Sequence, residues 1–217
     1  MPPEGSLAVN GPYDPLPSYY KPFVGILYRD RIERTLALLE GVPFRSVLEI
    51  GYGSGVLLPT LCAIAPDVTA IDRLSDPRTA SERLSRLGCS PRLLRCEAER
   101  MRFPAGRFDL VVSISTFEHI PGPRLESAAR LILKSLRPGG HLLAGIPAVN
   151  GFMDRTLSLI GYPSMSDHHV TRPRDVFRIL SAFLEPVRHT RMPSFLPDPF
   201  CFYHSYLFRK PAPSRRR

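Results

Sequence analysis

The sequence predicts an α/β domain: a mostly parallel sheet with helices on both faces. Three observations predict it. Strand-like and helix-like segments alternate up to residue 146. The segment Phe108 to Ile114 is nearly unbroken in apolar residues, as a strand buried on both faces must be. The run Val47 to Ile50 ends at glycines and leads into a helix. A chain of 217 residues, 43% hydrophobic and 23% charged, suits one domain with a sizeable core.

The elements follow in order. Residues 1–18 are rich in Pro and Gly and read as an extended arm; prolines cluster near both ends, which predicts mobile termini. A first helix is expected from Tyr28 to Glu40, with Ile32, Leu36 and Leu39 at helical spacing and Gly41 and Pro43 as stops. Ser46 to Ile50 is a buried strand. Val56 to Ala65 reads as a helix with Pro59 in its first turn or at a kink. Val68 to Ile71 is a second strand, ending at Asp72. Asp76-Pro77 opens the next helix with an N-cap and a proline at its first position, and Gly88 closes it. Leu93-Leu94 mark a third strand and Phe108 to Ile114 a fourth. Leu125, Ala128, Ala129, Ile132, Leu133 and Leu136 form the stripe of a strongly periodic helix, which Pro138-Gly139-Gly140 ends. His141 to Ile146 is a fifth strand. Residues 147–170 have no clear period, and a segment of that length inside a domain reads as a functional lid. Pro173 opens a last helix through Phe183, and strands near Pro186–Thr190 and Phe202–Phe208 finish the fold.

The net charge is +9. A basic balance suits an anionic partner, or it reflects arginines scattered over solvated helix faces; only Arg215-Arg216-Arg217 forms a block. Of Cys62, Cys89, Cys96 and Cys201, no pair has C-x-x-C spacing and no nearby His completes a zinc pattern, so four free thiols in a reducing compartment are expected and no metal. The N-terminus does not resemble a signal peptide, and no apolar run approaches the roughly 18 residues of a membrane span. A cytoplasmic location is expected.

Val47-Leu48-Glu49-Ile50-Gly51-Tyr52-Gly53-Ser54-Gly55 carries the strongest signal. Glycines permit positive φ and let a ligand approach the main chain with no Cβ in the way. In an open parallel sheet, ligands bind at the carboxyl ends of the strands. Asp72, ending the next strand, can accept the ribose hydroxyls of an adenine nucleoside, or it is a capping or surface acid. The spacing is G-x-G-x-G, with Val56 where a dinucleotide fingerprint needs its third glycine. Glu49 would repel a pyrophosphate and suits the amino group of a methionine moiety.

These residues resemble the class I S-adenosylmethionine-dependent methyltransferase family, in particular its small-molecule, type 11-like group. Glu49 to Gly55 looks like its E-x-G-x-G-x-G loop and Ile71-Asp72 like its ribose acid. Cys96-Glu97-Ala98-Glu99 with Phe103-Pro104 and Phe108-Asp109 looks like its adenine segment, with Glu97 where the family commonly has Asp. Phe117-Glu118-His119-Ile120 resembles the stretch after strand four, and Leu136-Arg137-Pro138-Gly139-Gly140 the turn before strand five. The resemblance covers residues 45–146 well and is suggestive to about residue 185. It implies a Rossmann-like, seven-stranded sheet with the last strand antiparallel, an N-terminal arm or lid over residues 1–27, one domain over 28–210 with its insert at 147–170, and a basic tail at 211–217. It implies S-adenosyl-L-methionine as cofactor: Glu49, Gly51, Tyr52, Gly53 and Gly55 at the methionine part, Asp72 at the ribose, Glu97 and Ala98 at the adenine, Ser113 and Ser115 near the sulfonium and the acceptor, with Arg73 also among the cofactor-binding residues.

Methyl transfer from a sulfonium needs in-line positioning and exclusion of water, and a hydroxyl acceptor also needs a base. His119, His168 and His169 are the candidates. His119 serves equally as a structural histidine, the other two as a solvated loop pair; Asp167 could orient one of those two or simply cap a turn. Tyr13, Tyr19, Tyr20, Phe23, Phe152 and Tyr162 either close over a substrate or simply pack. The chain has Ser113-Ile114-Ser115-Thr116 where nucleic-acid amino-methyltransferases carry N/D-P-P-Y, and it has no Pro-Cys pair. A small-molecule acceptor is therefore expected, and nucleic acid is not. A non-catalytic module that kept the fold is the chief rival, and a nicotinamide-dependent oxidoreductase the lesser one.

Overall fold

A computed structural model describes residues 1–11, 14–148 and 170–212. The strands are β1 (Ser46–Ile50), β2 (Asp67–Asp72), β3 (Arg92–Arg95), β4 (Phe108–Ile114), β5 (Leu136–Pro147), β6 (Glu185–Met192) and β7 (Tyr203–Arg209). The helices are α1 (Val24–Ala37), α2 (Leu58–Ile64), α3 (Pro77–Ser85), α4 (Gly122–Ser135) and α5 (Pro173–Ser181). They build one seven-stranded sheet in the order β3-β2-β1-β4-β5-β7-β6. Pairs among β1 to β5 are parallel, and β7 runs antiparallel between β5 and β6. This is the Rossmann-like α/β fold that the alternation predicts.

The central strands are buried on both faces because each alternates its side chains between two cores. Val47, Leu110, Val112 and Leu143 face a cluster with Leu58, Leu61 and Leu84 of α2 and α3. Leu48, Ile50, Val111 and Leu142 face a second cluster with Leu125, Ile132, Val176 and Leu180 of α4 and α5. Asp76 caps α3 by accepting from the amides of Arg78 and Thr79, with Pro77 in the first turn. Pro59 falls in the first turn of α2, so it removes no helical bond.

Four expectations need correction. Helix α1 starts at Val24 rather than Tyr28; its first turn contains Gly25 and leaves Ile26 and Leu27 exposed, so it shows no apolar stripe. Strand β5 begins at Leu136, where Phe108 pairs with Leu136 before a register shift; the predicted turn at Pro138-Gly139-Gly140 lies inside the strand, with Gly139 at φ 73°. The N-terminal arm is not a loose terminus: Leu7, Leu16 and Tyr19 are buried in the same cluster as the residues around the glycine loop. Cys62 and Cys89 form a disulfide, so only Cys96 and Cys201 are free among the described residues. These two cysteines lie on α2 and just beyond α3, and only the tertiary fold brings them together.

Candidate functional site

The chain leaves β1 for β2 and β3 on one side and returns to β4 on the other, so the sheet order reverses beside β1. The crevice outside the carboxyl ends of β1 and β4 is the ligand position of such a sheet. Glu49, Gly51, Ser113 and Ser115 stand at or just beyond these ends, and Asp72 ends the neighbouring β2.

Glu49 is 4% exposed, and its Oε2 has no hydrogen-bond partner. Burial, and then the Asp72 charge, push its carboxyl up to about 8. A buried polar group left unpaired costs about 1–3 kcal/mol, more when charged, so this position favours a cation or donor from outside the chain. The glycines beyond it have positive φ: 79° at Gly51, 53° at Gly53 and 86° at Gly55. A Cβ on Gly51 would lie 2.1 Å from Thr116 Oγ1, so this glycine lets the loop after β4 approach. A Cβ on Gly53 would meet nothing within 4 Å, so this glycine faces open space. The cradle and the orphaned carboxylate fit a compact cationic amino acid moiety.

Asp72 does more than face the crevice. Its Oδ2 accepts from the Gly53 amide at 3.0 Å, and its Oδ1 accepts from Leu74 and Ser75 at 2.7 and 2.9 Å. It holds the glycine loop to the turn after β2. The arm covers the same loop: Asn10 Nδ2 donates to Ser75 Oγ at 2.6 Å, and Ser54 Oγ donates to Asp14 Oδ1 at 3.3 Å.

A cleft of about 380 Å³ opens on the β2–β3 side, lined by Arg73, Leu74, Arg95, Cys96, Glu97 and Arg100. It brings together Arg73 and Glu97, each expected at the cofactor. Glu97 is held by Arg100 at 3.0 Å and by Arg124 at 3.3 Å. Ala98 does not line the cleft; it is buried in the second core. Tyr52 is also turned into protein, 4% exposed and packed with Leu16 and Tyr19 in the first core. Leu74, Arg95 and Arg100 were missed, because side chains that converge from separate loops leave no spacing to read.

Ser113 is buried with its Oγ unpartnered. Ser115 has φ 54°, rare for a residue with a Cβ, and its Oγ lies 3.0 Å from Tyr203 Oη. His119 is 43% exposed at its side chain, with Nε2 3.8 Å from Glu118 Oε1. Glu118 is 1% exposed and both its oxygens lack hydrogen-bond partners. Sequence reading passed over it because burial does not show in a single acidic letter. His168, His169, Asp167, Tyr13, Phe152, Tyr162, nearly all of the predicted lid and the arginine block lie outside the described residues. Among the described residues no group of three potential metal ligands converges, and no helix is long and apolar enough to cross a membrane.

Residues 47–140 match a family model described as a methyltransferase domain. That stretch runs from β1 through the glycine loop to the start of β5. Sequence relatives include the ubiquinone biosynthesis O-methyltransferase of Photobacterium profundum, 30% identical over 101 residues that cover 45% of this chain and 42% of the relative. The protein of the same name from Aromatoleum aromaticum is 32% identical over 130 residues, covering 58% and 53%. The chain thus spans about half the length of the curated relatives it matches. The N-methyltransferase NodS of Bradyrhizobium japonicum, solved with S-adenosyl-L-homocysteine, aligns over 94% of this chain and 95% of its own with a TM-score of 0.66 and 21% identity. That likeness is one of fold, and the methyltransferase domain keeps its substrate information in the site.

Proposed function

We propose that this chain is an S-adenosylmethionine-dependent methyltransferase that moves a methyl group to a small-molecule acceptor by direct in-line displacement. The observation that carries the reading is Glu49: a buried carboxylate with an orphan oxygen, set against a glycine that opens onto free space. The cofactor supplies a methyl group already activated on a sulfonium. The chain's own residues bind and orient it. Glu49 receives the amino group and the loop from Gly51 to Gly55 gives the main-chain cradle. Asp72 accepts from the ribose with the lone pairs its three amides leave, and Arg73 and Glu97 edge the base. Ser113 and Ser115 lie on the acceptor side, where His119, His168 and His169 are the imidazoles available to a proton. Such positioning supplies up to about 7–11 kcal/mol of a barrier.

Residues 1–27 serve in this reading as an arm closed over the cofactor loop, 28–210 as the domain, 147–170 as a substrate cover and 211–217 as a basic tail. The packing of Leu7, Leu16 and Tyr19 beside the loop supports the first of these. The cytoplasm is the proposed location; against it stands the Cys62–Cys89 bond, since thiols there are ordinarily kept reduced. The test is a methyl-transfer screen over hydroxylated and amine-bearing small molecules, read by product mass. A methylated product supports the enzyme. Cofactor binding with no transfer to any acceptor identifies the rival, a module that kept only the fold. The Gly53→Val variant, with a branched side chain at φ 53° in the open space, is expected to abolish cofactor binding.

A further inference from the structure

Beside the cofactor loop stands a second unpaired carboxylate, and nothing in the reading above uses it. Glu118 sits in the 3-10 turn Phe117–His119 that follows β4. Its side chain is almost fully buried and neither oxygen accepts a hydrogen bond of normal geometry. The only ion pair it forms among the described residues is the 3.8 Å approach of His119. The turn is held from several sides. The Glu118 carbonyl accepts from the amides of Val170 and Thr171, at 2.9 and 3.1 Å. Thr116 packs on Gly51, and Ser115 binds Tyr203 of β7. Gly145 makes room for that tyrosine, since a Cβ there would lie 2.5 Å from Tyr203 Oη. A loop so constrained, with Ser115 at positive φ, holds the orphan carboxylate in place rather than letting it turn to water.

Arg31 of α1 is also buried, 8% exposed. Its guanidinium donates to Tyr19 Oη at 2.9 Å and lies over the rings of Tyr28, Tyr203 and Tyr19, with centroids 4.2, 5.5 and 5.6 Å away. Its Nε has no partner. Arg31 and Glu118 feel each other's charge, and both act on Tyr203, yet they form no ion pair. Both stand around Tyr203: Arg31 lies over its ring, and the loop that carries Glu118 reaches its hydroxyl through Ser115.

Resting on the methyltransferase reading, we propose that Glu118 is the general base for the acceptor, and that the acceptor is an acidic hydroxyl of the phenol or enol class. The acceptor oxygen forms the new bond to the methyl carbon. The carbon–sulfur bond breaks with its electron pair left on sulfur, and the hydroxyl proton passes to a Glu118 oxygen and thence to water. The fixed positive charge of Arg31 stabilises the oxyanion as it develops and disfavours a cationic ammonium in the same place. Burial, offset in part by its own amide and by Arg31, holds the Glu118 carboxyl near 8, close to the range in which a base for such a hydroxyl is effective.

The test uses the full chain with methyl-deuterated S-adenosylmethionine, a panel of substituted phenols and catechols, and their matched anilines. Transfer to hydroxyls and not to anilines is expected. The Glu118→Gln variant is expected to lose about 100-fold or more of that turnover, while its S-adenosylmethionine affinity stays within about twofold, which also certifies its fold. Glu118→Asp, which keeps the charge, is expected to recover part of the rate. Wild-type turnover in Glu118→Gln, methylation of anilines in preference, or no hydroxyl turned over by a chain that binds the donor each overturns this proposal alone. A wild-type chain that does not bind the donor overturns the methyltransferase reading, and this proposal with it.

Discussion

Two buried carboxylates dominate the chemistry at the residue scale. Glu49 and Glu118 are each pushed up to about 8 by burial, from an ordinary value of 4.5. Between those two values the folded chain holds protons that the unfolded chain has released, so stability falls as pH rises. The thermal midpoint of the ligand-free protein is therefore expected to drop from about pH 5 to about pH 8, and Glu49→Gln is expected to flatten part of that slope. An unchanged slope in the variant counts against a desolvated Glu49. Asp72 behaves differently, because its oxygens take three backbone amides. Asp72→Asn leaves at least one of those amides unpaired and is expected to cost about 1–3 kcal/mol in urea unfolding, apart from any loss of cofactor affinity. Glu49 was legible in the sequence because it precedes a glycine run at the end of an apolar strand. Glu118 and Arg31 were not, because only tertiary burial distinguishes them from the many surface charges of a chain with net charge +9.

At the scale of elements, close approaches of backbone and side chain set the site. Gly25, in the first turn of α1, lies against the arm: a Cβ there would sit 2.5 Å from the Tyr19 carbonyl oxygen. Gly25→Ala raises helix propensity by about 1 kcal/mol, yet it is expected to lever the arm away from the glycine loop. Limited proteolysis that cuts the variant within residues 1–20 sooner than the parent checks this; equal cleavage contradicts it. Gly145→Ala in β5 would drive its Cβ into Tyr203, at an expected cost of about 1–3 kcal/mol and with loss of the Ser115–Tyr203 contact. Strands β1 to β5 and helices α3 and α4 were legible because burial on two sheet faces and amphipathic spacing write themselves into short windows. The start of α1 was not, since its first turn holds Gly25 and exposes Ile26 and Leu27, and further on Arg31 and Thr35 occupy its buried face. Thr35 Oγ1 bonds the Arg31 carbonyl at 2.5 Å and Ser205 Oγ of β7 at 2.6 Å, a polar seam that no hydrophobic pattern reveals. The docked arm escaped for a related reason: a proline-rich segment reads as loose unless its few apolar residues are known to find a core.

At the scale of the whole molecule, the strand order puts the reversal point at β1 and β4, so one crevice receives Glu49, the glycine loop, Asp72 and the loop carrying Glu118. The alternation of elements was enough to predict that crevice; the disulfide was beyond it, because Cys62 and Cys89 are distant in sequence and only the tertiary fold joins them. A bond across 27 residues is worth about 3–4 kcal/mol on chain-entropy grounds. Alkylation of the denatured, unreduced protein is expected to label Cys96 and Cys201 only, and labelling of all four cysteines contradicts the bond. The most direct test of the central claim is a calorimetric titration with S-adenosylhomocysteine of the parent chain and of Glu49→Gln. One molecule is expected to bind per chain, with an affinity at least about tenfold weaker in the variant, the loss of one charge-assisted hydrogen bond. No binding to the parent, or equal binding to both, contradicts the claim that Glu49 and the glycine loop form the cofactor seat.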